Sequence, residues 1–195
     1  MKGGKFIMKK SSIGTICIIA VIAIIAIMAI AGYNGMVSKR EAVDSALSDL
    51  DVMLQRRADL IPNLVSTVKG YTNHENEVID KITEARAKLT SANSVEEKSE
   101  ANNELSSSLK ALMVVVENYP DLKSSENFKQ LSDELAGTEN RIAVARKDYN
   151  NAVKTLNTTI KKFPNNIIAG MFGFEQAEYF EADESSTEVP SVNFE

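Results

Sequence analysis

The stretch ENFKQLSDELAGTENRIAVARKDYNNAVKTLNTTIKKF, residues 126–163, decides the fold. Phe128, Leu135, Ile142, Tyr149, Leu156 and Phe163 stand seven apart, with Leu131, Ala145, Val153 and Ile160 at neighbouring positions. A strict seven-residue apolar repeat keeps one seam of a helix turned toward its partners. Such a helix is roughly 57 Å long at 1.5 Å per residue, so it needs partners of comparable reach.

Upstream, residues 33–70 supply one. Val43, Leu47, Leu50, Leu54, Ile61, Leu64 and Val68 recur in steps of three and four, and Arg57 takes one turn of the same seam. Pro62 interrupts the pattern without shifting its phase, which predicts a bend near 60–62 rather than a stop. The GYTN run at 70–73 reads as a turn, and a second helix is expected over 74–91, with Asn73 as its N-cap. Val78, Ile79, Ile82, Ala85 and Leu89 share one of its faces. Ser94 and Glu97 have the spacing of a capping box, so a third helix starts there. Leu105, Leu109, Leu112, Met113 and Val116 are its expected core face, and the apolar run 112–116 marks the most enclosed point. Tyr119-Pro120 ends it, because a residue ahead of proline avoids helical geometry. No stretch alternates with the period of a strand.

The N-terminal stretch IGTICIIAVIAIIAIMAIAG, residues 13–32, carries no charge and has the length of a membrane-crossing helix. Ala29-Ile30-Ala31 resembles a signal-peptidase site, so an uncleaved anchor and a cleaved leader are both readings. The length exceeds that of a secretory apolar core and favours the anchor. Lys2, Lys5, Lys9 and Lys10 precede it, against Lys39 and Arg40 behind it. That bias places the N-terminus in the cytoplasm and the rest outside it.

The expected architecture is therefore all-α: one N-terminal transmembrane helix followed by an elongated antiparallel four-helix bundle. Residues 1–12 form a basic tail, 13–32 the transmembrane helix and 33–164 the bundle. Residues 165–195 hold an apolar end-capping segment (Ile167, Ile168, Met171, Phe172, Phe174) that caps the bundle or touches lipid. An acidic tail without fixed structure follows it.

Several function classes are excluded by composition. All 27 acidic residues lie behind the anchor, together with only 18 of the 22 basic ones, which argues against a nucleic-acid partner. The one cysteine, Cys17, sits inside the apolar stretch, so the remainder has no thiol nucleophile, disulfide or cysteine metal site. A di-iron bundle needs two Glu-x-x-His pairs, but the one histidine, His74, has Tyr71 three residues before it. No serine–histidine–acid logic and no phosphate-binding glycine loop is present. We expect no catalytic residue, no cofactor and no metal. Polar groups on the core seams remain: Asp51, Arg57 and Asp59 in the first bundle helix, and Glu139, Arg146 and Asn150 in the last. Left unpaired they would cost several kcal/mol each, roughly. Pairing is expected between residues 56–59 and 139–146, fixing helix register, with a charged binding cleft as the alternative.

The blocks LDVMLQRRADLIPNLVSTVKGY (50–71), ENYPDLKSSENFKQL (117–131), ELAGTENRIAVARKDYN (134–150), the FP pair at 163–164, the GF…YFE segment at 173–181 and PSVNF at 190–194 resemble the LemA family. The segment 92–108 matches least. The resemblance implies a single-pass protein of the bacterial cell membrane with a helical bundle, and no established catalytic activity or cofactor. Some relatives are associated with membrane organisation and organelle formation. The family's hallmark residues carry over as Arg56, Arg57, Asp59, Pro62, Asn63, Tyr119, Pro120, Glu139, Asn140, Arg146, Tyr149 and Asn150. Members described with a cytoplasmic bundle point opposite to the charge bias. The expected partners are membrane lipid at the anchor and an unidentified protein, with no nucleic acid. The main functional expectation is a non-enzymatic scaffold or interaction module. The alternative is a homo-oligomer that organises membrane, with Val114 and Val115 as candidate contacts.

Overall fold

A computed structural model describes residues 10–72 and 75–181, with the side chains of 10–13 excepted. Among them every regular element is helical: α1 (Lys10–Lys69), α2 (Asn76–Ser91), α3 (Val95–Val116), α4 (Pro120–Ser124), α5 (Glu126–Lys161) and α6 (Asn165–Phe172). Asn73, His74 and the acidic residues after Glu181 lie outside the described residues, as do the lysines ahead of Lys10.

The apolar stretch and the first seam belong to one helix. The boundary expected at 32/33 falls inside α1, and Pro62 is accommodated within it. Near its N-terminus α1 is long enough and apolar enough to cross a membrane by length and composition. Its large apolar side chains from Ile16 to Ile30 are each more than half exposed, unlike those of a core helix.

The chain divides into two compact units. One comprises residues up to Glu41 with Thr155–Gln176; the other comprises Ala42–Lys154 and the residues from Ala177.

In the first unit, α6 packs on α1. Met36, Ile168 and Ala169 form its small core, against which Ile160 and Phe174 rest. Gly32 permits the approach, because a Cβ there would come 2.6 Å from Ile168 Cδ1. Tyr33 stacks obliquely on Phe172 at 4.9 Å between ring centroids and meets Phe174 edge-on at 5.6 Å. Gly173, in the left-handed region at φ 71°, ends α6 by returning its N–H to the Ala169 carbonyl. Arg40 then holds the Glu175 carbonyl at 3.0 Å.

In the second unit the expected seams are buried. Val43, Leu50, Leu54, Ile61, Leu64 and Val68 of α1 are all inside, as are Ile79, Ile82, Ala85 and Leu89 of α2. From α5, Phe128, Ile142, Tyr149 and Val153 join them, while Leu156, also buried, belongs to the first unit. Ser94 and Glu97 form the anticipated capping box at the start of α3.

Four expectations are corrected. Phe163 does not continue the heptad: α5 stops at Lys161, Pro164 follows, and the ring is 80% exposed. Met113 is 47% exposed and Val114 more so, so only Leu112 and Val116 of the 112–116 run are core. On a helix, five consecutive residues cover every face, and the core takes only those in phase. Tyr119-Pro120, expected only to end a helix, also begins one: 120–124 is a helical turn with Pro120 at its start and Leu122 fully buried. Finally, the acidic segment from Glu175 was expected to lack fixed structure, yet through Glu181 it is held to the helices, with Phe180 wholly inside.

Candidate functional site

Arg57 occupies a core position on α1 with only 3% of its surface exposed. Its aliphatic stem continues the apolar seam, while the guanidinium must find partners. Nη1 donates to Asn102 Oδ1 at 2.6 Å and to Ser106 Oγ at 2.9 Å, both on α3. It also lies 2.8 Å from Glu139 Oε2 on α5 as an ion pair. Ser106 Oγ, in turn, donates to the Asn102 carbonyl. One nitrogen with two hydrogens thus faces three acceptors, while Arg57 Nε has no hydrogen-bond partner. Burial pulls the Arg57 pKa below its ordinary value, and the Glu139 carboxylate opposes that pull. An arginine nonetheless stays protonated in a protein. The group is a fixed positive charge tying α1 to α3 and α5.

The pair lines a cleft of about 230 Å³ whose other walls include Leu64, Leu109, Leu112, Met113 and Leu135. No histidine or cysteine among the described residues lines this cleft, and its two serines, Ser106 and Ser132, have no histidine beside them. Among the described residues no group of three or more His, Cys, Asp or Glu could hold a metal ion.

A second cluster fastens the segment 177–181. Asn150 of α5 makes a reciprocal pair with Phe180: its Nδ2 donates to the Phe180 carbonyl and its Oδ1 accepts the Phe180 N–H, both at 2.9 Å. The Tyr149 hydroxyl donates to the Glu178 carbonyl at 2.8 Å, and Ser99 of α3 donates to the Glu181 carbonyl at 2.8 Å. The segment has no helix of its own, so side chains satisfy backbone groups that burial would otherwise strand.

A third contact explains how α1 tolerates Pro62. Proline lacks the N–H that would serve the carbonyl four residues back, which is that of Ala58. Arg86 of α2 donates its Nε–H to that carbonyl at 2.8 Å.

The remaining sequence candidates scatter. Arg56 is exposed and lines open grooves together with Arg141. Asp59 is exposed and accepts a bond from Gln55 one turn earlier. Pro62, Asn63 and Asn140 are on the surface, and Arg146 is half-buried. Tyr119 donates to Glu75 Oε1 at 2.8 Å, and that carboxylate raises the phenol's pKa above its ordinary value. Asp51 pairs with Lys98 of α3 at 2.7 Å. The structure brings together Arg57 with Glu139, and Tyr149 with Asn150; the others do not form one site. Sequence reasoning missed Asn102, Ser106, Ser99 and Arg86. Ser99, Asn102 and Ser106 do lie in phase with Leu105, Leu109 and Leu112, and that was the available signal.

These features define an all-helical protein with a candidate N-terminal membrane helix and polar groups committed to joining helices. The LemA family model matches residues 46–194, and the chain belongs to that family. Magnetosome protein MamQ 2 of Paramagnetospirillum magneticum is 30% identical over 76% of this chain and 64% of its own. MamQ of Magnetospirillum gryphiswaldense is 26% identical over the same shares, and protein LemA of Metamycoplasma hominis 29% over 77% and 69%. The chain thus spans less than two thirds of the length of the MamQ relatives.

Proposed function

We propose that this protein is a single-pass, membrane-anchored helical scaffold that engages another protein and performs no chemistry. In this reading α1, α2, α3 and α5 form an elongated antiparallel four-helix bundle with coiled-coil seams, and the apolar start of α1 is its anchor in a bacterial cell membrane. The observation that carries it is the use made of the polar core groups. Arg57 Nη1 is shared among Asn102, Ser106 and Glu139, joining α1 to α3 and α5. Among the described residues no histidine or cysteine lines the cleft beside them. The magnetosome names of the MamQ relatives support a role in organising membrane. The lysine bias ahead of the anchor supports a bundle outside the cytoplasm.

A second reading is self-assembly. A groove of about 500 Å³ between α1 and α5 is walled by Val52, Met53, Val144 and Ala145. Val52 and Val144 are each more than half exposed beside it, an arrangement suited to a further helix face. A photo-crosslinking residue at Val144 in intact cells tests both. An adduct with another protein supports the scaffold, an adduct with a second copy supports self-assembly, and no adduct overturns both uses of this face. Catalytic turnover abolished by Arg57→Met in a stably folded protein would overturn the non-enzymatic reading.

A further inference from the structure

We infer that α6 is a second membrane contact, an apolar helix lying in the interface of the same bilayer that the start of α1 crosses. The inference rests on the spanning reading of α1.

Helix α6, NNIIAGMF, contains no charged residue. Ile168 and Ala169 face α1, whereas Ile167, Met171 and Phe172 are more than half exposed, as is Phe163 just ahead of the helix. So much exposed apolar surface on so short a segment calls for a cover. Its seat identifies that cover. Ile168 packs at Gly32 and in one core with Met36, and Phe172 packs on Tyr33. Gly32 follows Ile30, the last large residue of the exposed apolar run, by about 3 Å of helix rise. A bilayer that covers Ile16–Ile30 ends its hydrocarbon where α6 sits, at the depth amphipathic interfacial helices occupy. Tyr33 is half-exposed at the same level, where tyrosines anchor membrane proteins. The approach carries exposed Lys161 and Lys162 in an otherwise acidic chain. Anionic headgroups attract such lysines within a Debye length.

The chain has no tryptophan, so a single one reports without background. Full-length Met171→Trp, with Phe172→Trp as a second reporter, is reconstituted into vesicles containing phosphatidylglycerol, and circular dichroism confirms its helical content. Ile24→Trp reports on the anchor and Val114→Trp on an exposed site of the other unit. We expect Met171→Trp to lose most of its fluorescence to lipids with a nitroxide high on the acyl chain, and less to lipids labelled near the chain end. The signal from Val114→Trp sets the background above which both are read. Quenching of Ile24→Trp without quenching of Met171→Trp or Phe172→Trp overturns the inference and leaves the anchor standing. Quenching of neither site overturns the spanning reading and the inference with it. A blue-shifted Met171→Trp that ignores lipid quenchers and reverts when protein is diluted in lipid means a second copy covers α6, which also overturns the inference.

Discussion

Arg86 donates to the carbonyl of Ala58, the carbonyl that Pro62 leaves without a backbone donor. A side chain from α2 thereby completes the hydrogen bonding of α1 across a helix–helix boundary. Leaving a half-buried carbonyl unserved costs roughly 1–2 kcal/mol, so Arg86→Met should lower stability by about that amount. In a Pro62→Ala background the backbone N–H returns, and the same substitution should cost less, by a coupling of about 1 kcal/mol. Thermal unfolding of the four variants in detergent gives the cycle. Equal costs in both backgrounds would mean that Arg86 does not compensate for the proline.

Two substitutions separate hydrogen bonding from charge at the Arg57 cluster. Arg57→Met strips Asn102 and Ser106 of their donor inside the protein, and should cost about 2 kcal/mol. Glu139 is about half exposed and can turn to water. Glu139→Gln should therefore cost less than about 1 kcal/mol. If the two cost the same, the ion pair rather than the bonds to α3 dominates the cluster.

The start of α3 should weaken in acid. Glu97 accepts backbone N–H groups of Asn93 and Ser94, and these hold its pKa below the ordinary carboxylate value. A depressed folded-state pKa stabilises above the unfolded value, and that stability is lost as pH falls through the lower folded one. Amide exchange at residues 95–98 should accelerate across that window, and Glu97→Gln should flatten the response. Ser94→Ala removes the other half of the box at a cost of about 1 kcal/mol.

The segment 177–181 should be releasable without unfolding the helices. Asn150→Ala removes both bonds to Phe180 and should expose the segment to limited proteolysis, with helical content retained by circular dichroism. Tyr149→Phe should have a smaller effect, near 1 kcal/mol, from the Glu178 carbonyl.

Topology is checked with one thiol. In a Cys17→Ser background, Ser107→Cys on the exposed side of α3 should react with an impermeant thiol reagent in intact cells or spheroplasts. Labelling only after lysis would place α3 in the cytoplasm and reverse the inference from the lysines.

The helices were legible because burial and periodicity coincide. A residue such as Leu50 or Ile142 is inside simply because its helix turns that way, and no knowledge of the neighbour is needed. Arg57 and Glu139 were legible for a related reason, since a charge on a core seam demands an opposite one. Asn102, Ser106 and Arg86 were not, because their roles depend on which residue faces them across a gap. Helix register sets that, and it is not written in either helix alone. Phe163 shows the converse: its spacing fits the heptad, but the helix ends before the pattern does. Phe180 gave no periodic signal because its burial comes from Asn150 grasping the backbone.

Phe180 follows the six described helices in chain order, and it is nevertheless a core residue. During translation, then, the described helices all leave the ribosome before this part of the second unit's interior does. A polypeptide terminated prematurely ahead of residue 177 would carry the apolar start of α1 and the helices that follow it, yet leave the side chains of Tyr149, Asn150 and Ser99 without the backbone they hold. The cell's proteases would meet an unfinished interior, and only chains that extend through Phe180 would be sealed against them.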